Sequence, residues 1–95
     1  MMAWRLTNPA KDDLDEIWWY IAQDNVAAAD KMISRLVGRF DMLARQPLIG
    51  EECSALAIHL RNFPVRPYVI YYMPVDEEVA IIRVLHGARD ARRSF

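Results

Sequence analysis

The chain has 95 residues, one cysteine and a formal net charge of −1, with 26% charged and 54% hydrophobic residues. That length fits one domain, residues 1–95, and high hydrophobicity with balanced charge excludes a disordered chain. A lone Cys53 excludes an intramolecular disulfide and a cysteine-built zinc centre, no other metal or cofactor motif is visible, and no apolar run nears the roughly 20 residues of a membrane span.

The N-terminal stretch MMAWRLTNPAKDD lacks the apolar core of a signal peptide, so a cytoplasmic, reducing setting is expected. Charge is unevenly spread. Residues 1–53 hold six basic against nine acidic side chains, and residues 54–95 hold six arginines against four acids. Within 79–95, Arg83, Arg89, Arg92 and Arg93 face Asp90 alone. This is a local basic end without the surplus of a strong phosphate binder, so direct DNA binding is not expected.

MAWRLT alternates Trp4 and Leu6 with Arg5 and Thr7 and predicts a first strand. Asn8 and Pro9 then supply an N-cap and a residue pre-organised for the first helical turn. A helix is predicted over about 9–23, with Asp12, Asp13, Asp15 and Glu16 near its positive end. Ala10, Leu14, Ile17, Trp18 and Ile21 make one apolar face. Trp19 points away from it, as an exposed aromatic that either rests on a loop or contacts a partner. Asn25 is placed to cap a second helix over about 26–45. Its stripe is Ala29, Ile33, Leu36, Phe40 and Leu43, opposite Lys31, Ser34, Gly38, Asp41 and Arg45. So short a connection makes the two helices an antiparallel hairpin.

Pro47 ends the second helix, and QPLIGEE reads as loop. Three strand-like runs follow: ALAIHLRNF, with Leu56, Ile58 and Leu60 alternating; RPYVIYYM, bounded by Pro67 and Pro74; and VAIIRVLH. VDEE between the last two is a turn. His86 ends the final strand, and Gly87 permits a bend there. Short links favour an antiparallel meander. The expected fold is therefore α+β, in the order β-α-α-β-β-β: an N-terminal strand, then a two-helix hairpin packed on a mainly antiparallel sheet, then a short C-terminal tail.

Four stretches make the chain similar to a known superfamily: AKDDLDEIWWYIAQDN at 10–25, AAADKMISRL at 27–36, LIG after Pro47, and LRNFPVRPYVIYY at 60–72 followed by RVLHGARD at 83–90. In that order they resemble the RelE/ParE toxins, and more closely the ParE branch, the plasmid-stabilisation proteins. The chain departs from the family at Arg66-Pro67, where glycine is usual, so a different β-turn is expected there. The resemblance implies a bacterial type II toxin that forms a hetero-oligomer with a ParD-like antitoxin. It implies DNA gyrase as the target if the chain follows the ParE branch. If it follows the RelE branch, it implies messenger RNA cleaved on the ribosome.

RNA cleavage through the 2′-hydroxyl needs a base, an acid and cations around the phosphate. His86 or His59 could supply the acid–base group, with Arg61 and Arg83 as cations. RelE-like nucleases resemble one another in a Lys/Arg-rich patch and a C-terminal acid–base Tyr or His. Here only ARRSF follows Asp90, and both lysines, Lys11 and Lys31, lie on the helical hairpin. The expectation is a toxin that binds its target and carries no catalytic residue of its own. Arg66, Arg83, Arg89, Arg92, Arg93 and Phe95 are the candidate target contacts; Trp19 and Met42 are the candidate antitoxin dock. Arg83, alternating with Val79, Ile81 and Leu85, is expected on an apolar face, where it needs a salt bridge or the rim. A homologue that has lost toxicity and only binds the antitoxin is the third reading.

Overall fold

A computed structural model describes residues 3–95, and in the last segment the side chains of Ala88, Arg89, Arg92 and Arg93 lie outside the described residues. The order is β1 (Ala3–Leu6), α1 (Asn8–Ala22), α2 (Val26–Arg45), β2 (Glu51–Glu52), β3 (Arg61–Val65), β4 (Tyr68–Val75), β5 (Glu78–His86) and α3 (Gly87–Ser94). The five strands form one sheet in the order β1-β5-β4-β3-β2. β3, β4 and β5 make the expected antiparallel meander, while β1 runs parallel to β5. The fold is α+β, and its short C-terminal tail is coiled into α3.

The cap of α1 is Thr7 rather than Asn8: its hydroxyl accepts from the Ala10 N–H at 3.2 Å. Asn8 and Pro9 lie inside the helix, so the first turn carries no acidic residue and the acids begin one turn later. Asn25 caps α2 as expected, accepting from the Ala28 N–H at 2.9 Å. Ala29, Leu36, Phe40 and Leu43 are buried along α2, and the opposite stripe is exposed. Trp18 is half-buried, and its indole N–H donates to Asp30 at 2.8 Å, tying the end of α1 to the start of α2.

Three strand expectations need correction. Residues 55–60 do not form a strand. The chain turns tightly there, with Leu56 N–H donating to Cys53 O, Leu60 N–H to Ala57 O, and Cys53 N–H to Leu60 O. Ile58, one of the alternating apolar residues, is 73% exposed, so alternation without cross-strand pairing was not enough. Conversely, Glu51–Glu52, read as loop, pairs with β3. Pro74 does not bound β4 but lies within it, opposite Val79. Beyond Tyr72, β4 has no partner on its β3 side among the described residues, and there a missing N–H costs no ladder bond. The Arg66–Pro67 peptide bond in the turn between β3 and β4 is cis.

The core has two layers. The main one lies between the helical hairpin and the sheet: Ala10, Ile17, Leu36, Phe40 and Leu43 against Tyr68, Ile70, Tyr72, Val79, Ile81 and Val84. On the other face, Leu60, Tyr71, Leu85 and Ala91 pack beneath the 53–60 turn and α3. A β-bulge divides the two faces of β5: Tyr72 pairs with Ile81 but Tyr71 with Arg83, so Ile82 is the extra residue. The alternation therefore shifts. Val84, not Leu85, joins Val79 and Ile81 on the helix side, and Leu85 turns to the second layer. Of the expected grouping, Arg83 stays with Val79 and Ile81 on the side of α1, where it meets its salt-bridge partner Asp13, and Leu85 alone leaves it.

Candidate functional site

The bulge exposes backbone groups that the sheet no longer pairs, and α1 and its cap residue supply their partners. Thr7 Oγ1 donates to Ile82 O at 2.9 Å, and the Val84 N–H donates to Asp13 Oδ2 at 3.0 Å. Asp13 also receives the guanidinium of Arg83, from Nε to Oδ2 and from Nη2 to Oδ1, both at 2.7 Å. This bidentate pair is largely desolvated on the acid side: Asp13 is 6% exposed, while Arg83 keeps a quarter of its side chain in solvent. Hydrogen bonding to Asp13 pushes the Arg83 guanidinium above its ordinary value, against burial; the charges of Asp13, Glu16 and Asp12 act the same way as the hydrogen bond. Asp13 was not foreseen. The signal was present, because Asp13 falls on the Ala10–Ile17 stripe at i+3 and i−4. A lone acid on a buried helix stripe and a lone Arg in an apolar strand are natural partners.

Around this pair α1, β5 and α3 enclose an open groove of about 630 Å3. Asp13, Glu16, Ile17 and Tyr20 line it from α1, Arg83 to His86 from β5, Tyr68 from β4, and Asp90 and Ser94 from α3. Tyr68 and His86 meet edge to face, with ring centroids 5.6 Å apart. Tyr20 stands 74% exposed at the rim. Burial, and secondarily the nearby Tyr20, push the Tyr68 phenol above its ordinary value. Tyr20 was not singled out from the sequence, although it lies one turn after Glu16 on the same face.

The residues considered for RNA cleavage do not assemble. His86 and Arg83 share the groove, but Arg61 lies opposite Tyr72 whereas His86 lies opposite Tyr68. The offset is roughly 13 Å along the strands and roughly 10 Å across two of them. Arg61 is engaged elsewhere: its Nη1 donates to Gly50 O at 2.7 Å and to Leu48 O at 3.2 Å. His59 is exposed in the 53–60 turn with φ 67. Among the described residues no three His, Cys, Asp or Glu side chains converge as metal ligands, and no helix is long and apolar enough to cross a membrane.

The candidate contact residues are dispersed. Arg66 is exposed on the β3–β4 turn, at the His86 end of the sheet. Phe95 rests on Tyr71 with centroids 5.3 Å apart, yet stays partly exposed. The side chains of Arg89, Arg92 and Arg93 lie outside the described residues, although their backbone belongs to α3. Trp19 is 65% exposed and packs edge to face on Trp18 at 5.5 Å. Met42 is half-buried against the main core. Asp30 marks the level of Trp18 on α2, so Met42 lies about 18 Å of helix further on, and the two are not brought together.

Residues 4–91 match the model of the family described as the ParE toxin of the type II toxin–antitoxin system parDE. Three Caulobacter vibrioides proteins are similar. Toxin ParE3 is 33% identical, covering 85% of this chain and 82% of its own. Toxin ParE1 is 36% identical, covering 97% and 96%. Toxin RelE2 is 40% identical, covering 81% and 85%. The fold is also that of a chain in the solved chromosomal ParDE system of P. aeruginosa, with a TM-score of 0.76, 22% identity, and coverage of 92% of this chain and 97% of the other.

Proposed function

This chain belongs to the ParE toxin family of type II toxin–antitoxin systems, and on that premise we propose that it acts by binding DNA gyrase and is held inactive by a cognate antitoxin. The toxin works in the cytoplasm, carries no catalytic group of its own, and traps the topoisomerase in its own chemistry. It does not bind DNA directly, and a ParD-like antitoxin joins it in a hetero-oligomer.

The observation that carries this reading is the engagement of Arg83. A cation that is to stabilise a developing phosphate charge must be free to meet it. Arg83 instead gives both arms of its guanidinium to Asp13, and Arg61 is spent on two backbone carbonyls. Target contact falls to Arg66 and Phe95, with Arg89, Arg92 and Arg93 from α3; Arg83 joins them only through its exposed quarter. The antitoxin docks over Trp19 at the α1–α2 turn, and Met42 adds only the edge that core packing leaves open.

The test is a supercoiling reaction containing purified protein, gyrase, ATP and relaxed plasmid, quenched with detergent and protease. Linear DNA should accumulate as supercoiling is lost. Unaffected gyrase, with a folded protein that is toxic in cells, would sink the gyrase reading. The similarity to a toxin named RelE2 keeps ribosome-dependent messenger RNA cleavage as the second reading. It requires His86→Ala to abolish toxicity without loss of fold.

A further inference from the structure

The solvent face of α2 carries a row of cations that the chain itself leaves unmatched. Lys31, Arg35 and Arg39 are exposed and stand four residues apart, so successive charges lie about 6 Å apart along the helix. Like charges at that spacing repel, and no Asp or Glu stands three or four residues from any of the three to relieve them. Asp30 and Asp41, the acids of α2, lie about a third of a turn or more off the row, where they accept the indole N–H groups of Trp18 and Trp4. The ion pairs among the described residues are Arg5–Glu78 and Arg83–Asp13, and neither draws on the row. The side chains outside the described residues are those of Met1, Met2, Ala88, Arg89, Arg92 and Arg93, and none of them is an acid that could complete it. Half-buried Met32 and Met42 border the row, three residues before Arg35 and three after Arg39. Gly38 sits beside it in the exposed middle of the helix. A Cβ there would meet nothing within 4 Å, so no contact among the described residues calls for glycine, and the backbone is open to close approach.

We propose that this face of α2 is the docking site for an acidic helix of a partner polypeptide, with carboxylates at every fourth residue. Such a helix repeats its charges at the same spacing of about 6 Å, so at a shallow crossing angle the three charge pairs form together. Arginine favours the match, because its guanidinium meets a carboxylate with two parallel N–H donors. Apolar residues beside the carboxylates pack on Met32 and Met42, whose flexible thioethers adapt to them. Gly38 lets the two backbones come close. A nucleic acid would use the charges alone, and a chain of net charge −1 offers it no wider attraction. The proposal rests on the reading of this chain as a protein that works by binding other polypeptides, but its test needs neither gyrase nor an antitoxin.

The experiment is a titration of the 15N-labelled full chain at low ionic strength. The probe is an acetylated and amidated peptide of four Ala-Ala-Leu-Glu repeats, long enough to form a helix. Its controls are the same peptide with Gln for Glu, and oligothymidylate. Saturable shifts are expected at the amides of Lys31, Arg35, Gly38 and Arg39 with the Glu peptide and not with the Gln peptide. Arg35→Gln should weaken binding by about threefold or more. Arg5→Gln removes the same charge from β1 and should leave binding unchanged. Trp4 and Leu6 turn to the main core, so Arg5 between them projects from the other face of the sheet. Both arginines are exposed, so both substitutions spare the fold. Absence of saturable shifts, equal response to the Gln peptide, equal weakening by Arg5→Gln, or tighter binding of oligothymidylate through the same amides would overturn the proposal. A gyrase poison whose α2 ignores the acidic helix would lose this proposal alone; an α2 that binds it in a protein without effect on gyrase would leave it intact.

Discussion

Asp13 on α1 and Arg83 on β5 are joined by two hydrogen bonds of 2.7 Å, and the same carboxylate accepts the Val84 N–H at 3.0 Å. One side chain thus satisfies a cation, closes the gap left by the bulge and fixes the helical hairpin on the sheet. Removing one partner of such a pair leaves the other charge stranded, which typically costs about 3–5 kcal/mol. Asp13→Ala should fall near the lower end, about 3 kcal/mol, because Arg83 keeps a quarter of its side chain in solvent. Urea unfolding measures it. A loss under about 1 kcal/mol would mean that the pair does not tie α1 to β5.

Two glycines should respond to alanine with opposite signs. A Cβ at Gly50 would meet the Tyr72 hydroxyl and lie 2.7 Å from the Asn62 carbonyl oxygen. The Tyr72 hydroxyl has no room to retreat, since it accepts the Gly50 N–H and donates to Pro47 O, both at 2.8 Å. Gly50→Ala should therefore cost about 1–3 kcal/mol. Tyr72→Phe, which strands the buried Gly50 N–H, should cost a similar amount, about 1–3 kcal/mol. At Gly38, in the exposed middle of α2, a Cβ would meet nothing within 4 Å. Gly38→Ala should stabilise by about 0.5–1 kcal/mol. Thermal melts of the three variants decide the signs, and a neutral Gly50→Ala would contradict the geometry.

What could be read in advance follows from where the physics is local. The caps, periods and bounds of α2 depend on nearby residues, and the second helix matched its expected span. The meander was legible because β-branched and aromatic runs separated by short turns leave few alternatives. The segment 55–60 was misread because alternation predicts a strand only where a neighbouring strand exists to pair with it. Leu85 was placed on the wrong face because a single extra residue, Ile82, reverses the alternation beyond it. The groove combines both difficulties: its aromatic and acidic residues come from four elements, and Tyr20 is remote in sequence from every one of its neighbours on the sheet.

Stability should decline in alkali from about the ordinary tyrosine value of 10.0. Burial raises Tyr68, Tyr71 and Tyr72 in the folded chain, so the unfolded chain releases these protons first. A raised folded value means stability that is complete below the unfolded value and lost as pH climbs through the folded one. Melting temperature followed from pH 8 to pH 11 should hold and then fall, and Tyr71→Phe should soften the fall. A flat profile above pH 10 would contradict the burial of these phenols.

For function, the proposed binding mode expects His86→Ala in a folded protein to leave toxicity intact, with the loss confined to the edge-to-face contact with Tyr68. Growth after induction without the antitoxin measures it, and restored growth would revive the nuclease reading. Trp19→Ala should weaken antitoxin binding by more than about tenfold, as loss of a large aromatic anchor does. An unchanged dissociation constant would remove Trp19 from that interface.

The parallel pairing of β1 with β5 has a consequence for the order of assembly. Ala3 to Leu6 lie beside Glu78 to Ile81, Thr7 donates to the Ile81 and Ile82 carbonyls, and Asp13 finds its partners at Arg83 and Val84. The helical hairpin can form early, held by Trp18 on Asp30, and β1 docks on it through Trp4 on Asp41 and Phe40. Its seat does not exist until the last strand is made. The closure joining the two ends of the chain is the long-range step, and contacts of that separation are slow to form. A nascent chain short of β5 is therefore a hairpin without a seat, and the wall that β5 gives the groove is among the last features the polypeptide acquires.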